Sequence, residues 1–111
     1  MRSVGNTPVI KSKEIKEMFD NPKRLSSASF VLLYKKSESR GVAFTVKKHV
    51  SKNAVMRNKI KRVLREAYQL SETSFPSNCN YLFIGLKAAS QSSPNVVSEE
   101  MSEVARRVNG K

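Results

Sequence analysis

Hydrophobic residues recur along this chain with two periods, and the changes of period divide it into elements. From Lys13 to Phe19, Ile15, Met18 and Phe19 share one helical face, with Ser12 placed to cap it and Glu14 and Glu17 suited to a helix start. SFVLLYKK (Ser29 to Lys36) is a β-rich run with apolar residues on both faces. In GVAFTVKK (Gly41 to Lys48), Val42, Phe44 and Val46 alternate with Ala43 and Thr45, as in a strand. The short connection between these runs predicts an antiparallel hairpin. A lesser strand is predicted over Arg24 to Ser27. A long helix is predicted from about Ala54 to Leu70, capped by Asn53 or Ser51. YLFIGLK (Tyr81 to Lys87) reads as a buried strand. A final helix is predicted from Pro94 toward Val108, with Val97, Met101, Val104, Ala105 and Val108 as its stripe and Gly110 ending it.

This order of elements describes an α+β sandwich, helices packed on a sheet. No repeat or long linker divides the 111 residues, so a single domain over 1–111 is expected, with about ten N-terminal and three C-terminal residues flexible. Hydrophobic content of 39% supplies a core. No apolar run nears the ~20 residues that cross a bilayer, and MRSVGNTPVIKSKE lacks the apolar segment of a signal peptide. A soluble, cytoplasmic protein with no membrane partner is expected. The single Cys79 cannot form an internal disulfide and fits a reducing compartment.

Charge changes the picture most. Lysine and arginine number 21 against nine acids, a formal net charge of +12. Self-repulsion of that size opposes compaction and points to a polyanionic partner, nucleic acid before an anionic membrane. The excess concentrates in KKHVSKNAVMRNKIKRVLREAY (Lys47 to Tyr68), which holds eight lysines and arginines and one acid. At helical spacing Met56, Ile60, Val63, Leu64, Ala67 and Leu70 fall on one arc, to be buried on the sheet. The opposite arc carries Arg57, Asn58, Lys61, Arg62 and Arg65, with Tyr68 at its edge. Lys47, Lys48 and Lys52 precede it, near the positive helix N-terminus. A solvated helix face ordinarily mixes signs. Here Arg57 with Lys61 and Lys61 with Arg65 are like charges at i,i+4, which repel by a few tenths of a kcal/mol. Asn58 adds a mid-helix cost of roughly half a kcal/mol. Both choices make sense on a face that docks on phosphates, arginine forking to oxygens and asparagine reaching a sugar or base edge.

KNAVMRNKIKRVLREAY resembles the signature of the protein subunit of bacterial ribonuclease P, an arginine-asparagine-arginine motif followed by Ile-Lys-Arg and a further Arg-Glu. The likeness extends to GVAFTVKK before it, YLFIGLK after it and IKEMF near the N-terminus, from about Lys11 to Val108. The third motif position is Lys59 here, which keeps the charge and loses the planar fork. The resemblance implies a two-layer α/β sandwich of about four strands and three helices, with a left-handed β-α-β crossover through the basic helix; general handedness rules alone favour the right-handed form. It implies a holoenzyme that cuts the 5′ leader from precursor tRNA, a monomeric protein paired one to one with a catalytic RNA, and Mg²⁺ held mainly by that RNA. Lys47, Lys48, Lys52, Arg57, Asn58, Lys59, Lys61, Arg62 and Arg65 would face RNA, and Phe19 would sit at a cleft for the single-stranded leader. One turn before it the family often has phenylalanine, where this chain has Ile15.

A groove for single-stranded RNA needs flat apolar surfaces as well as charge, because bases stack on aromatic rings. Phe19 and Tyr34 are the candidates for the leader cleft. Phe30 is a weaker one, and Phe44 and Phe83 suit the core. Phe30, Leu32 and Tyr34 share a strand face that is either core or cleft floor. No catalytic or metal-ligating set is expected in the chain itself. Hard cations want clustered carboxylates, and the sequence has one aspartate, Asp20, with scattered glutamates. The lone His49, in a basic loop, suits a phosphate contact better than acid-base catalysis. Cys79 has no adjacent base in sequence, and zinc spacing and Gly-rich phosphate loops are missing. The leading expectation is thus an RNA-binding subunit of a ribonucleoprotein endonuclease. A structural, ribosomal-type RNA-binding protein is the alternative, and a self-sufficient nuclease a distant third.

Overall fold

The computed structural model describes residues 3–109. In chain order these form strands β1 (Ser3–Val4) and β2 (Thr7–Pro8), helix α1 (Ser12–Glu17), strands β3 (Lys23–Ser26), β4 (Phe30–Lys36) and β5 (Gly41–Thr45), helix α2 (Ala54–Ser71), strand β6 (Cys79–Gly85) and helix α3 (Pro94–Asn109). Short 3₁₀ turns lie at Glu72–Ser74 and Lys87–Gln91. The expected mixed α+β class, with a four-stranded sheet and three helices, is what the chain adopts. Gly110, expected to end α3, lies outside the described residues.

The sheet order is β3-β4-β6-β5. The antiparallel hairpin expected of β4 and β5 does not form: β6 lies between them, antiparallel to β4 and parallel to β5. Two features of the sequence explain this. The connection Ser37 to Arg40 can extend about 13 Å, enough to step across one intervening strand of about 4.8 Å spacing on each side. Strands with apolar residues on both faces gain most from a central position, and β4 and β6 are those strands. The true hairpin is β3–β4, its turn closed by the Ser27 N–H donating to the Phe30 carbonyl at 2.8 Å. The parallel pair β5 and β6 is joined through α2, a β-α-β crossover.

Side chains of the sheet alternate between two apolar layers. Phe30, Leu32, Tyr34, Val42, Tyr81 and Phe83 face α2 and α3, with Ile60, Leu64, Ala67, Val97, Met101 and Val104 filling the space between. Leu33, Ala43 and Leu82 form a smaller cluster on the other side with Ile10 and Met18. Helix α2 crosses β6 closely. A Cβ on Gly85 would lie 2.4 Å from the Ile60 Cγ2, so only glycine fits there.

Two boundaries and one pair of burial assignments differ from the sequence reading. Helix α1 stops at Glu17, leaving Met18 and Phe19 in a turn. Asn21 takes a left-handed φ of 57° just before Pro22, and such a pair cannot continue a helix. Ser12 is the first helical residue rather than the cap, which is Lys11. On α2, Leu70 is 60% exposed and Tyr68 fully buried, the reverse of their expected places. Leu70 lies at the margin of the buried arc, where Ser71 instead faces Met101. Tyr68 is covered by the N-terminal segment.

That segment was expected to be flexible and is packed from Val4 onward. The turn of the β1–β2 hairpin uses Gly5 at a φ of 59°, and Val4 and Thr7 are buried. Glu72, at the end of α2, clasps it: its carboxylate accepts from the Asn6 N–H at 2.9 Å and from the Thr7 hydroxyl, which also meets the Tyr68 hydroxyl at 2.8 Å. Arg40 approaches the same carboxylate at 3.7 Å and donates to the Glu72 and Phe75 carbonyls. Downstream, Ile10 N–H donates to the Val42 carbonyl at 2.9 Å, so the clasp leads directly into α1.

Replacing Glu72 with alanine strips partners from Asn6, Thr7 and Arg40 and should lower stability by about 2–3 kcal/mol in urea unfolding. Leu70→Gln should stay within about 0.5 kcal/mol. Equal effects would show that the clasp holds nothing. Burial raises the phenol pKa of Tyr68 and, with help from Cys79, that of Tyr81. A phenol protonated in the fold and ionised when unfolded stabilises fully at lower pH, and that contribution drains away above about pH 10. Melting temperature should fall through that range, with ionisation at 295 nm appearing together with unfolding.

Candidate nucleic-acid interface

Helix α2 begins where the sequence offers an amide cap. The Asn53 Oδ1 accepts from the Val55 N–H at 2.8 Å, and the Ser51 Oγ accepts from the Asn53 N–H at 3.1 Å. Of the two cap candidates, Asn53 is the cap and Ser51 braces it. The Arg57 guanidinium donates to the Ser51 carbonyl at 2.8 Å. One ridge cation therefore fixes the loop that carries Lys47, Lys48 and Lys52, all three exposed. There is no acid in the first turn of α2, so its positive end is not neutralised locally.

The face then develops as a graded ridge. Arg57 and Lys61 are half-buried at the edge of the arc that packs on the sheet, while Asn58, Arg62 and Arg65 are exposed. Lys59 is exposed too, but the helical period places it on the far flank, beyond the ridge. Among the described residues there are two ion pairs, Arg40 with Glu72 and Arg106 with Glu103. No cation of the ridge or of its loop is in either. Asn58 makes no side-chain hydrogen bond to a described residue, leaving its amide free. Lys61 and Arg65 also border an open groove of about 490 Å³ whose apolar walls include Val9, Ile15 and Phe44.

A second groove lies on the sheet face that α2 and α3 leave uncovered. It encloses about 270 Å³ between Phe19, Arg24, Leu33, Lys47, His49 and Ile84. Phe19 is half exposed, and the Lys47 ammonium stands 5.8 Å from its ring centroid, a cation–π contact. The geometry thus brings together Phe19, Lys47 and His49, which the sequence singled out separately. It does not bring Tyr34 there. Tyr34 belongs to the layer under α2 and α3, on the opposite side of the sheet from Phe19, so the two cannot line one cleft. The open question about its strand face resolves as core, with Phe30 meeting Phe83 edge-on at 5.3 Å and Phe44 stacked on Phe83 at 5.6 Å.

Arg24, Leu33 and Ile84 were missed as groove residues. The signal was present, because apolar residues on both faces of β4 and β6 mean that whichever face is not core must be floor. Chemically, the two regions offer cations, one free amide and an apolar floor with a half-exposed ring. Among the described residues no three His, Cys, Asp or Glu side chains gather where they could hold a metal ion. The arrangement can bind a flexible polyanion and stack a base; it offers no paired acid and base.

Comparison with known proteins gives a consistent result. The sequence profile of the family described as Ribonuclease P matches residues 6–109. The ribonuclease P protein component of Exiguobacterium sibiricum is 32% identical, over 89% of this chain and 87% of that protein. That of Geotalea uraniireducens is 30% identical, over 90% and 88%. Among solved structures, the RNase P protein from Thermotoga maritima shares the fold with a TM-score of 0.75 at 23% identity, covering 89% of this chain and 96% of that one. The Staphylococcus aureus RNase P protein gives a TM-score of 0.72 at 17% identity, covering 96% of each.

Arg62→Ala and Arg65→Ala should each weaken binding to single-stranded RNA about tenfold with an unchanged melting temperature. Arg57→Ala should do the same and also lower stability slightly, since it releases the Ser51 carbonyl. Filter binding and calorimetry check both; unfolding of the Arg62 or Arg65 variants would mean that the ridge is structural. Binding should also fall by about three orders of magnitude or more between roughly 50 and 200 mM salt. A flat salt profile would contradict a phosphate-dominated contact.

Proposed function

This chain belongs to the ribonuclease P protein family, and on that premise we propose how its two surfaces divide the work. It is the protein subunit of ribonuclease P, so its partner is the ribonuclease P RNA. The α2 ridge, with Lys48 and Lys52 of the preceding loop, docks on phosphates of that RNA. The groove at Phe19 takes the single-stranded 5′ leader of precursor tRNA, a base resting on the exposed ring while Lys47, Arg24 and His49 follow its backbone. Lys59 meets RNA only where a strand wraps the far flank of α2. One monomeric protein serves each RNA, in the cytoplasm.

The observation that carries this reading is the adjacency of an unpaired cationic ridge and an open, apolar sheet face with an aromatic rim. Tyr34 has no part in the leader contact, being on the covered side; Leu33, its neighbour on β4, supplies the floor instead. Phosphodiester hydrolysis that frees the mature tRNA 5′ end is carried by the RNA. Mg²⁺ supplies Lewis acidity to that reaction and stays mainly with the RNA, because hard cations need several oxygen ligands and among the described residues the carboxylates do not gather into such a set. The protein contributes binding energy and screening of phosphate repulsion, which lowers the concentration of free cation needed to fold the RNA and hold substrate.

Reconstitution tests this directly. Purified chain, transcribed ribonuclease P RNA and a precursor tRNA are combined at low Mg²⁺. The expected result is cleavage that requires the RNA and rises with added protein. Phe19→Ala should raise KM for precursor tRNA about tenfold and leave binding to the RNA subunit intact. Cleavage by the protein alone would make it a nuclease. No stimulation would favour a purely structural RNA-binding role.

A further inference from the structure

A third cavity opens on the helix-covered side of the sheet, where the C-terminus of α3 stops short of the sheet's end. It holds about 320 Å³ between Lys23, Tyr34, Lys36, Asn78 and Cys79, with Val108 as one wall. Register explains how it arises. Lys23 stands opposite Tyr34 in the β3–β4 ladder, and Lys36, two residues on, stands opposite Cys79 in the β4–β6 ladder. With side chains alternating, all four point to the face that carries Phe30 and Leu32 into the core. Two lysines thus occupy the core-facing side of the sheet just beyond the last turn of α3.

The hydrogen-bonding pattern there is one-sided. Of the three tyrosines, Tyr68 meets the Thr7 hydroxyl and Tyr81 donates to the Pro76 carbonyl at 2.7 Å. Tyr34 is 8% exposed, and its hydroxyl bonds to no described residue. Among the described residues no buried side-chain oxygen or nitrogen is left without a partner, so that hydroxyl keeps its access to solvent through the cavity. The Asn78 amide group donates to no described acceptor either, and neither lysine is in one of the described ion pairs. Among the described residues no carboxylate lines the cavity. Two ammonium groups, the Tyr34 hydroxyl and the Asn78 amide N–H can thus donate into a space that takes a small tetrahedral oxyanion. The Asn78 amide oxygen accepts from the Cys79 thiol, and Asn109, also in the lining, spends its amide N–H on the Ser74 and Ala105 carbonyls. Burial, assisted by Cys79, raises the Tyr34 pKa, so the phenol keeps its proton and its capacity to donate.

We propose that this cavity is a phosphate-binding site, separate from the α2 ridge and the Phe19 groove. The phosphate group comes either from a segment of RNA backbone on this second side of the protein or from a free small phosphate. The site owes nothing to the assignment of the ridge, and it stands or falls independently.

Titration of the full chain with inorganic phosphate at constant ionic strength, followed by ¹H–¹⁵N NMR, reads the site. Saturable shifts are expected at Tyr34, Lys36 and Asn78. Lys36→Gln, at an exposed position, should weaken that response about tenfold, and Tyr34→Phe, which keeps the ring, by a similar factor. A short single-stranded RNA as the second titrant identifies the source. If it shifts Asn78 saturably and Lys36→Gln weakens this, backbone phosphate is the ligand. If only inorganic phosphate does so, the ligand is a free anion. Shifts at these three residues that never saturate, or that persist undiminished in both variants, would overturn the site.

Discussion

The rest of the structure depends on how the positive charge of α2 is tolerated. Arg57, Lys61 and Arg65 repel one another along one edge of the helix, and no described carboxylate relieves them. A free helix of this sequence would be marginal. What holds it is the other arc, where Ile60, Leu64, Ala67 and Tyr68 are fully buried between the sheet, α3 and the N-terminal hairpin. Hydrophobic burial thus holds a ridge of unneutralised charge in a fixed shape, so an anionic partner meets sites that need little further ordering. The function of the chain rests on that opposition.

The Glu72 clasp belongs to the same logic. It is one of the few carboxylates drawn into the interior, and it serves the N-terminal segment and Arg40 rather than the ridge. By holding β1–β2 over Tyr68 it also fixes the path into α1, and α1 sets the rim of the open groove at Phe19. The ridge and the groove, on opposite faces of the sheet, are therefore positioned by one connected set of contacts that runs along its β5 edge.

Much of this was legible in the sequence. The helical period of α2 and α3, a cap for α2 at Asn53 or Ser51 and the unmixed charge of the ridge follow from spacing and residue type alone. Non-local choices were not legible. Nothing local in SFVLLYKK or GVAFTVKK says that β6 will enter between them, because strand order is decided by which strands profit from being covered on both faces. The same limit misplaced Tyr34: period 2 gives two faces but not which one the helices cover. Tyr68 and Leu70 exchanged places for a related reason, since an N-terminal hairpin of two-residue strands leaves almost no periodic signal.

Lysine reactivity tests the central claim most directly. With and without ribonuclease P RNA, the rates at which an amine-specific reagent modifies each lysine would be compared by mass spectrometry. The account predicts strong protection of Lys61 and of Lys48 and Lys52 in the loop that leads into α2. Unchanged modification of Lys61, Lys48 and Lys52 in a complex shown to have formed would contradict it, because the RNA would then sit elsewhere on the protein.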